Sequence, residues 1–193
     1  MTTTTATIRP ALTADVPAFG QIINDCAEYG LMLHRSLAYL YEHVRDFLVK
    51  VDEDGQVVGV CGLKIVWANL AEVYALAVAP SHRGRGIGRA LVEACVEEAR
   101  RLGIRKLMTL TYERAFFEKL GFEVVDRQKL PLKVWSECLR CSKNTACDEI
   151  AMIRVLEDVP DLVSPSPQPP PASEYIVPVQ LGIPRRPRMN EPQ

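Results

Sequence analysis

Apolar residues along this chain recur with two periods, and the places where one gives way to the other mark its elements. Residues 7–11 read as a first strand. Val16, Phe19, Ile22, Ile23, Cys26 and Ala27 then fall at helical intervals, behind Thr13 and Asp15, either of which can cap a helix; Gly30 suits its end. Ser36 is placed to cap a second helix, in which Leu37, Leu40, Tyr41 and Val44 share a face, and residues 31–35 between the two read as a loop. Period two follows at residues 47–51 and 57–66, joined through Asp52, Glu53, Asp54 and Gly55, where Asp-Gly marks a tight hairpin. After a turn at Trp67, Ala68 and Asn69, a central strand starts at Glu72 and carries the apolar run from Val73 to Val78. It stops at Pro80, which has no N–H to give a ladder.

Helical spacing returns with Ile87, Leu91, Val92, Cys95, Val96, Ala99 and Leu102, with Glu93, Glu97, Glu98, Arg100 and Arg101 falling elsewhere and Gly103 at the end. Residues 106–110 are expected as a strand, 113–120 as a short helix closed by Gly121, and 122–125 as a strand. Residues 132–138 are expected to form a turn of helix, and 149–155 the last strand. This order predicts a mixed α/β fold, with hairpins at both ends that suit a partly antiparallel sheet.

Length and composition narrow the class. The 193 residues suffice for one core of ordinary domain size, expected over residues 5–157. Ten of the 14 prolines crowd into residues 158–193, where missing donors and few apolar groups predict a disordered or extended tail. A net charge of -1 argues against a nucleic-acid partner. No apolar run approaches the about 20 residues that span a bilayer, and the first five residues lack a signal-peptide layout, so a cytoplasmic location is expected. In that compartment six cysteines read as thiols or metal ligands, not as a disulfide framework.

The chemistry concentrates where the central strand gives way to the long helix. Gly84, Gly86 and Gly88 have no side chains to keep backbone N–H groups from converging on an anion, and the helix that follows adds the positive end of its dipole. Arg83, Arg85 and Arg89 add forks that match phosphate oxygens. A pyrophosphate suits this corner, and the sequence there is neither a P-loop nor a dinucleotide fingerprint.

The stretch Arg83-Gly84-Arg85-Gly86-Ile87-Gly88 resembles the Arg/Gln-x-x-Gly-x-Gly/Ala acetyl-CoA signature of the GNAT superfamily of N-acetyltransferases. Phe116-Phe117-Glu118-Lys119-Leu120-Gly121-Phe122 resembles that superfamily's late helix-to-strand element, and the likeness runs over residues 7–154. It implies an α/β GNAT fold, a mixed and mostly antiparallel central sheet with helices on both faces. It also implies acetyl-CoA as co-substrate, held by Leu76, Ala77, Val78, Arg83, Gly84, Arg85, Gly86, Ile87, Gly88, Arg89 and Phe117. By the same likeness Glu72 is the candidate general base. Many members carry a tyrosine in the late helix as acid to the departing thiolate, but the aligned residue here is Phe117, which has no proton to give. Either Tyr112 takes that role, or the thiolate leaves unaided, which a thiol pKa of about 8.5 tolerates.

A finer resemblance is to the acetyltransferase domain of N-acetylglutamate synthase. It lies in Leu33-His34-Arg35-Ser36 with Leu40, in Val58-Gly59-Val60-Cys61-Gly62-Leu63-Lys64, in Leu110-Thr111, in Leu130-Pro131 and in Arg140-Cys141-Ser142-Lys143. It implies glutamate as acceptor, the first step of arginine synthesis, a short stand-alone form, and Arg35, Lys64, Arg140 and Ser142 around the substrate. Charge agrees: glutamate brings two carboxylates, so its pocket needs cationic anchors while the amine stays near the thioester. Other acceptors remain open, from glutamine to a protein lysine or a small amine, as does a non-catalytic acetyl-CoA or metal sensor; a homodimer is also possible. Cys138, Cys141 and Cys147 resemble part of a zinc site, with Asp148, Glu149, His34, Cys26 or Cys61 as the fourth ligand, or else they are reduced or redox-sensitive thiols.

Overall fold

The computed structural model describes residues 7–127, 130 and 148–161. Among these residues seven strands form one sheet in the order β1-β2-β3-β4-β5-β7-β6: β1 (Thr7–Pro10), β2 (Phe47–Val51), β3 (Val57–Trp67), β4 (Leu70–Val78), β5 (Lys106–Thr111), β6 (Glu123–Val124) and β7 (Ile150–Val155). Every neighbouring pair is antiparallel except β4 and β5. The expected α/β class and mostly antiparallel sheet are both present, and β4 begins two residues before Glu72.

Helices α1 (Val16–Glu28) and α2 (Leu37–Glu42) cover one face, and α3 (Ile87–Arg101) and α4 (Arg114–Glu118) the other. On the first face Val16, Phe19, Ile23 and Cys26 of α1 and Leu40 of α2 pack on Phe47, Val49, Val60 and Tyr74, with the Phe19 and Phe47 rings 5.0 Å apart. On the second, Leu91, Val92, Cys95, Val96 and Ala99 of α3 meet Cys61, Leu63, Ala71, Val73 and Leu107. A third apolar cluster, Val66, Leu70, Met108, Leu130 and Ala151, lies farther along the first face. Each fully buried side chain of this size contributes about 1.5–3 kcal/mol.

The helix ends follow the sequence with one exception. Ser36 accepts from Tyr39 N–H at 3.2 Å and caps α2. Asp15 precedes α1 but does not cap it, because its carboxylate is committed elsewhere: to Arg9, at 2.6 and 3.0 Å, and to Leu12 N–H at 2.7 Å. Residues 13–15 form a short 3-10 turn instead. Past β7, Leu156 and Val159 are buried in the α3-side core, and Arg105 Nη1 donates to Val159 O at 2.5 Å. Packed chain therefore continues just beyond the domain end expected at residue 157. No described helix is long and apolar enough to cross a membrane.

The feature that shapes the site is a mismatch in the middle of the sheet. Between the pairs Gly62↔Tyr74 and Val60↔Ala77, two steps on β3 face three on β4, so β4 carries an extra residue. Ala75 absorbs it with φ +49°, the only non-glycine residue with positive φ among those described. Such a bulge bends its strand, and the parallel ladder between β4 and β5 ends at Glu72↔Met108. Strand β5 continues to Thr111 on its β7 side. Beyond Glu72, the β4 edge that faced β5 has no strand ladder among the described residues.

Candidate active site

One end of this parting is closed by the glycine corner. Gly84 and Gly86 adopt φ +74° and +77°, and a Cβ at either would stand in open space. Gly86 precedes α3, and no side chain among the described residues caps that helix. The first N–H groups of a 15-residue helix thus open beside glycines with no side chain to cover them, the donor arrangement that suits a phosphate. Arg85 and Arg89 are exposed beside it.

Arg83 makes contacts within the protein. Its Nε donates to Val78 O at 3.1 Å, and its Nη2 lies 3.5 Å from the Cys26 sulfur, so its side chain ties the loop to the end of β4 and to α1. Phe117 is not at the corner. It is 4% exposed, packed in the α3-side core edge-on to Phe122 at 5.2 Å. Its neighbour Phe116 takes that place: a Cβ on Gly88 would lie 3.6 Å from the Phe116 ring and 3.9 Å from Val78. Leu76 and Val78 are half-buried on the same face as Phe116, and Ala77 is buried on the other.

The opposite face of the sheet carries charge. Lys64 on β3 and Glu72 on β4 are direct cross-strand partners, and strand alternation puts them on one face with the flanking pair Gly62 and Tyr74. Their Cβ atoms are thus about 5 Å apart. Tyr74 belongs to the α1-side cluster and Val66 and Leu70 to the third, so the charged pair sits half-buried between two apolar patches. Tyr112 follows directly on the end of β5, also half-buried.

Beside this pair stands a row of aromatic and charged groups, of which the sequence marks only Arg35. Tyr74 donates its hydroxyl to Asp46 Oδ2 at 3.3 Å, and His43 Nδ1 lies 3.2 Å from the same oxygen. Burial first, and the Asp46 charge second, push the Tyr74 phenol well above its ordinary value, so it remains a donor. The nearby Arg35 cation pulls it the other way. The His43 ring stacks on Tyr39 at 4.2 Å, and the Arg35 guanidinium carbon sits 4.5 Å over the Tyr39 ring. Asn24 of α1 clamps the Arg35 backbone in both directions at 2.9 Å, accepting its N–H and donating to its carbonyl. Asn24, falling between the apolar positions of α1, was a signal of sorts; nothing local marks Tyr39, Tyr74 or Asp46.

Arg35, Lys64 and Glu72 are thus on the α1 side of the sheet, while the glycine corner opens α3 on the other. Among the described residues, the sheet parts between these two faces where the ladder of β4 and β5 ends. Arg140, Ser142, Cys138, Cys141 and Cys147 lie outside the described residues. Cys26, Cys61 and Cys95 are buried free thiols, and Cys26 and Cys61 face opposite sides of the sheet. Among the described residues no group of three or more His, Cys, Asp or Glu side chains can hold a metal ion.

Comparison with known proteins agrees with this geometry. The profile of the acetyltransferase (GNAT) family matches residues 17–122. An uncharacterized N-acetyltransferase of Chlorobaculum tepidum is 39% identical over 149 residues, 77% of this chain and 96% of that one. An amino-acid acetyltransferase of Mycobacterium tuberculosis is 36% identical over 135 residues, 69% of this chain and 77% of that one. N-acetylglutamate synthase from Neisseria gonorrhoeae, solved with coenzyme A and N-acetyl-glutamate, superposes with a TM-score of 0.71 at 28% identity, covering 79% of this chain and 35% of its own. With its parted central strands, its bare helix N-terminus and a matched profile over most of its sheet, this chain belongs to the GNAT family of acetyltransferases.

Proposed function

We propose that the protein transfers the acetyl group of acetyl-CoA to the α-amine of L-glutamate, giving N-acetylglutamate and CoA, the first step of arginine synthesis. The observation that carries the reading is the cross-strand pair Lys64 and Glu72, one cation and one carboxylate side by side where β4 and β5 part. A substrate with two carboxylates and an amine needs both charges: anchors for its acids and a base for its amine. Arg35, near enough to Tyr74 to act on its phenol, adds a second cation on that face. The named relatives agree, since one is an amino-acid acetyltransferase and another was solved with coenzyme A and N-acetyl-glutamate.

In this reading the CoA pyrophosphate binds the N–H groups at residues 84–88, and the β4 edge past Glu72 guides the pantetheine arm into the gap. The amine nitrogen attacks the thioester carbonyl carbon; the C–N bond forms and the C–S bond breaks. The amine proton passes to Glu72, directly or through a water. The CoA thiolate leaves and is protonated by Tyr112 or by solvent. Arg35 and Lys64, with Arg140 and Ser142, hold the carboxylates. Glutamate thereby meets the thioester already oriented, which removes much of the entropic cost of their encounter.

The test is release of free CoA thiol from acetyl-CoA across a panel of amino acids, lysine peptides and polyamines. Turnover confined to glutamate supports the reading. Turnover with another amino acid, a peptide or a polyamine moves the substrate to that class, and acetyl-CoA binding without thiol release replaces the enzyme with a sensor.

A further inference from the structure

We propose that Tyr39 is a positioning residue for acceptor recognition: its ring is the platform that holds the Arg35 guanidinium in place to meet an acceptor carboxylate. This rests on Arg35 being a carboxylate anchor, as proposed above.

Arginine carries about 2 kcal/mol of rotamer entropy in its side chain, and an anchor that must be ordered at each encounter loses that from binding. Here Arg35 is restrained at both ends. Its backbone is clamped by Asn24 through two hydrogen bonds of 2.9 Å, and its guanidinium carbon sits 4.5 Å over the Tyr39 ring. A cation over a ring face is held through its charge and its flat surface, so the contact consumes none of the N–H donors that a carboxylate uses.

The platform is itself fixed. Tyr39 N–H donates to the Ser36 hydroxyl oxygen at 3.2 Å, and the Tyr39 ring stacks on His43 at 4.2 Å. His43 Nδ1 meets Asp46 at 3.2 Å, and Asp46 accepts from Tyr74, which is buried in the sheet beside Glu72 and Lys64. Arg35, Tyr39, His43, Asp46 and Tyr74 therefore form one chain of contacts from the loop before α2 to the central strand. Tyr39 and His43, four residues apart along α2 and its C-terminal end, stack on each other, and Arg35 reaches Tyr39 from the loop before the helix.

The experiment measures glutamate KM, acetyl-CoA KM, kcat and melting temperature for Tyr39→Leu, Tyr39→Phe, Arg35→Ala and the double variant Arg35→Ala/Tyr39→Leu. Tyr39→Leu is expected to raise glutamate KM about three- to tenfold, with kcat and acetyl-CoA KM little changed. Tyr39→Phe keeps the ring face and should stay near wild type, and Tyr39→Leu should add nothing once Arg35 is already alanine. Should Tyr39→Leu fail to fold, Tyr39→Met serves in its place. The proposal is overturned if Arg35→Ala raises glutamate KM and Tyr39→Leu does not, or if Tyr39→Leu acts equally in both backgrounds, as a merely structural residue would. If Arg35→Ala itself leaves glutamate KM unchanged, the anchor reading fails and takes this inference with it.

Discussion

The ring of Tyr74 occupies the space where a Gly62 side chain would stand: a Cβ on Gly62 would lie 2.4 Å from Cε1 of that ring, its direct cross-strand partner. Glycine at 62 therefore lets a large aromatic lie flat on β3 while its hydroxyl reaches Asp46. Gly62→Ala must displace a buried ring, an overpacking that costs about 1–3 kcal/mol. For a chain of this size each kcal/mol lowers Tm by about 2–4 °C. Thermal melts should show that loss, and Tyr74→Leu in the Gly62→Ala background should recover much of it by removing the clash. An unshifted melt in Gly62→Ala would mean that the ring yields at no cost.

The glycine corner separates two roles that a shared spacing makes look alike. Gly86 holds φ +77° with open space around a built Cβ, whereas Gly88 is helical and its Cβ would make ordinary contacts with Phe116 and Val78. Gly86→Ala should therefore weaken CoA binding and cost about 1–2 kcal/mol through left-handed strain. Gly88→Ala should fold and bind CoA nearly as wild type. Calorimetric titration of CoA into both variants checks the contrast, and equal losses would show that steric crowding, not backbone conformation, governs the corner.

Much of this was legible in the sequence because its causes are local. Period and turn chemistry mark the strands and helices, and Gly55, with Asp52 accepting from Asp54 and Gln56 N–H at 3.0 and 2.8 Å, closes the hairpin as Asp-Gly predicts. The bulge at Ala75 was not legible, since alanine carries no mark of a positive φ that the β3 register imposes. Phe117, expected at the cofactor, is buried, and Phe116 lies beside Gly88, because adjacent helical residues point about 100° apart and a resemblance aligns positions without fixing which face is buried. Thr13 and Asp15 are both cap candidates by sequence, but Arg9 of β1, six residues before Asp15, gives its carboxylate a charged partner. Tyr74 read as one more apolar strand residue, and the row from Arg35 to Tyr74 exists only after α2 docks on the sheet.

Lys64 and Glu72, facing each other across β3 and β4, should separate kinetically. Glu72→Gln keeps the shape and removes the proton acceptor, so kcat should fall about 10²–10⁴-fold with acetyl-CoA KM little changed. Its residual rate should climb with pH as more substrate amine arrives already deprotonated. Lys64→Met removes an anchor and should act mainly on glutamate KM. Steady-state kinetics over a range of pH test both, and an undiminished kcat in Glu72→Gln moves the base elsewhere.

Acid stability should depend on Asp15. Its hydrogen bonds from Arg9, chiefly, and from Leu12 N–H hold the carboxyl below the ordinary value of 3.8, despite a desolvation that pushes it up. A group whose folded pKa is depressed adds stability above its unfolded pKa, and that contribution disappears as pH falls through the folded value. The Asp15 carboxylate is the more buried partner and Arg9 is partly exposed, so after solvent screening the pair is worth about 1 kcal/mol. Asp15→Asn should therefore lower Tm by about 2–4 °C at pH 7. The gap should persist down to about pH 4 and narrow only below it, as the wild-type carboxylate takes up its proton and loses its charged bond to Arg9. Melts of both proteins from pH 7 to pH 3 test this, and a gap that stays constant across that range would place the effect in packing instead of charge.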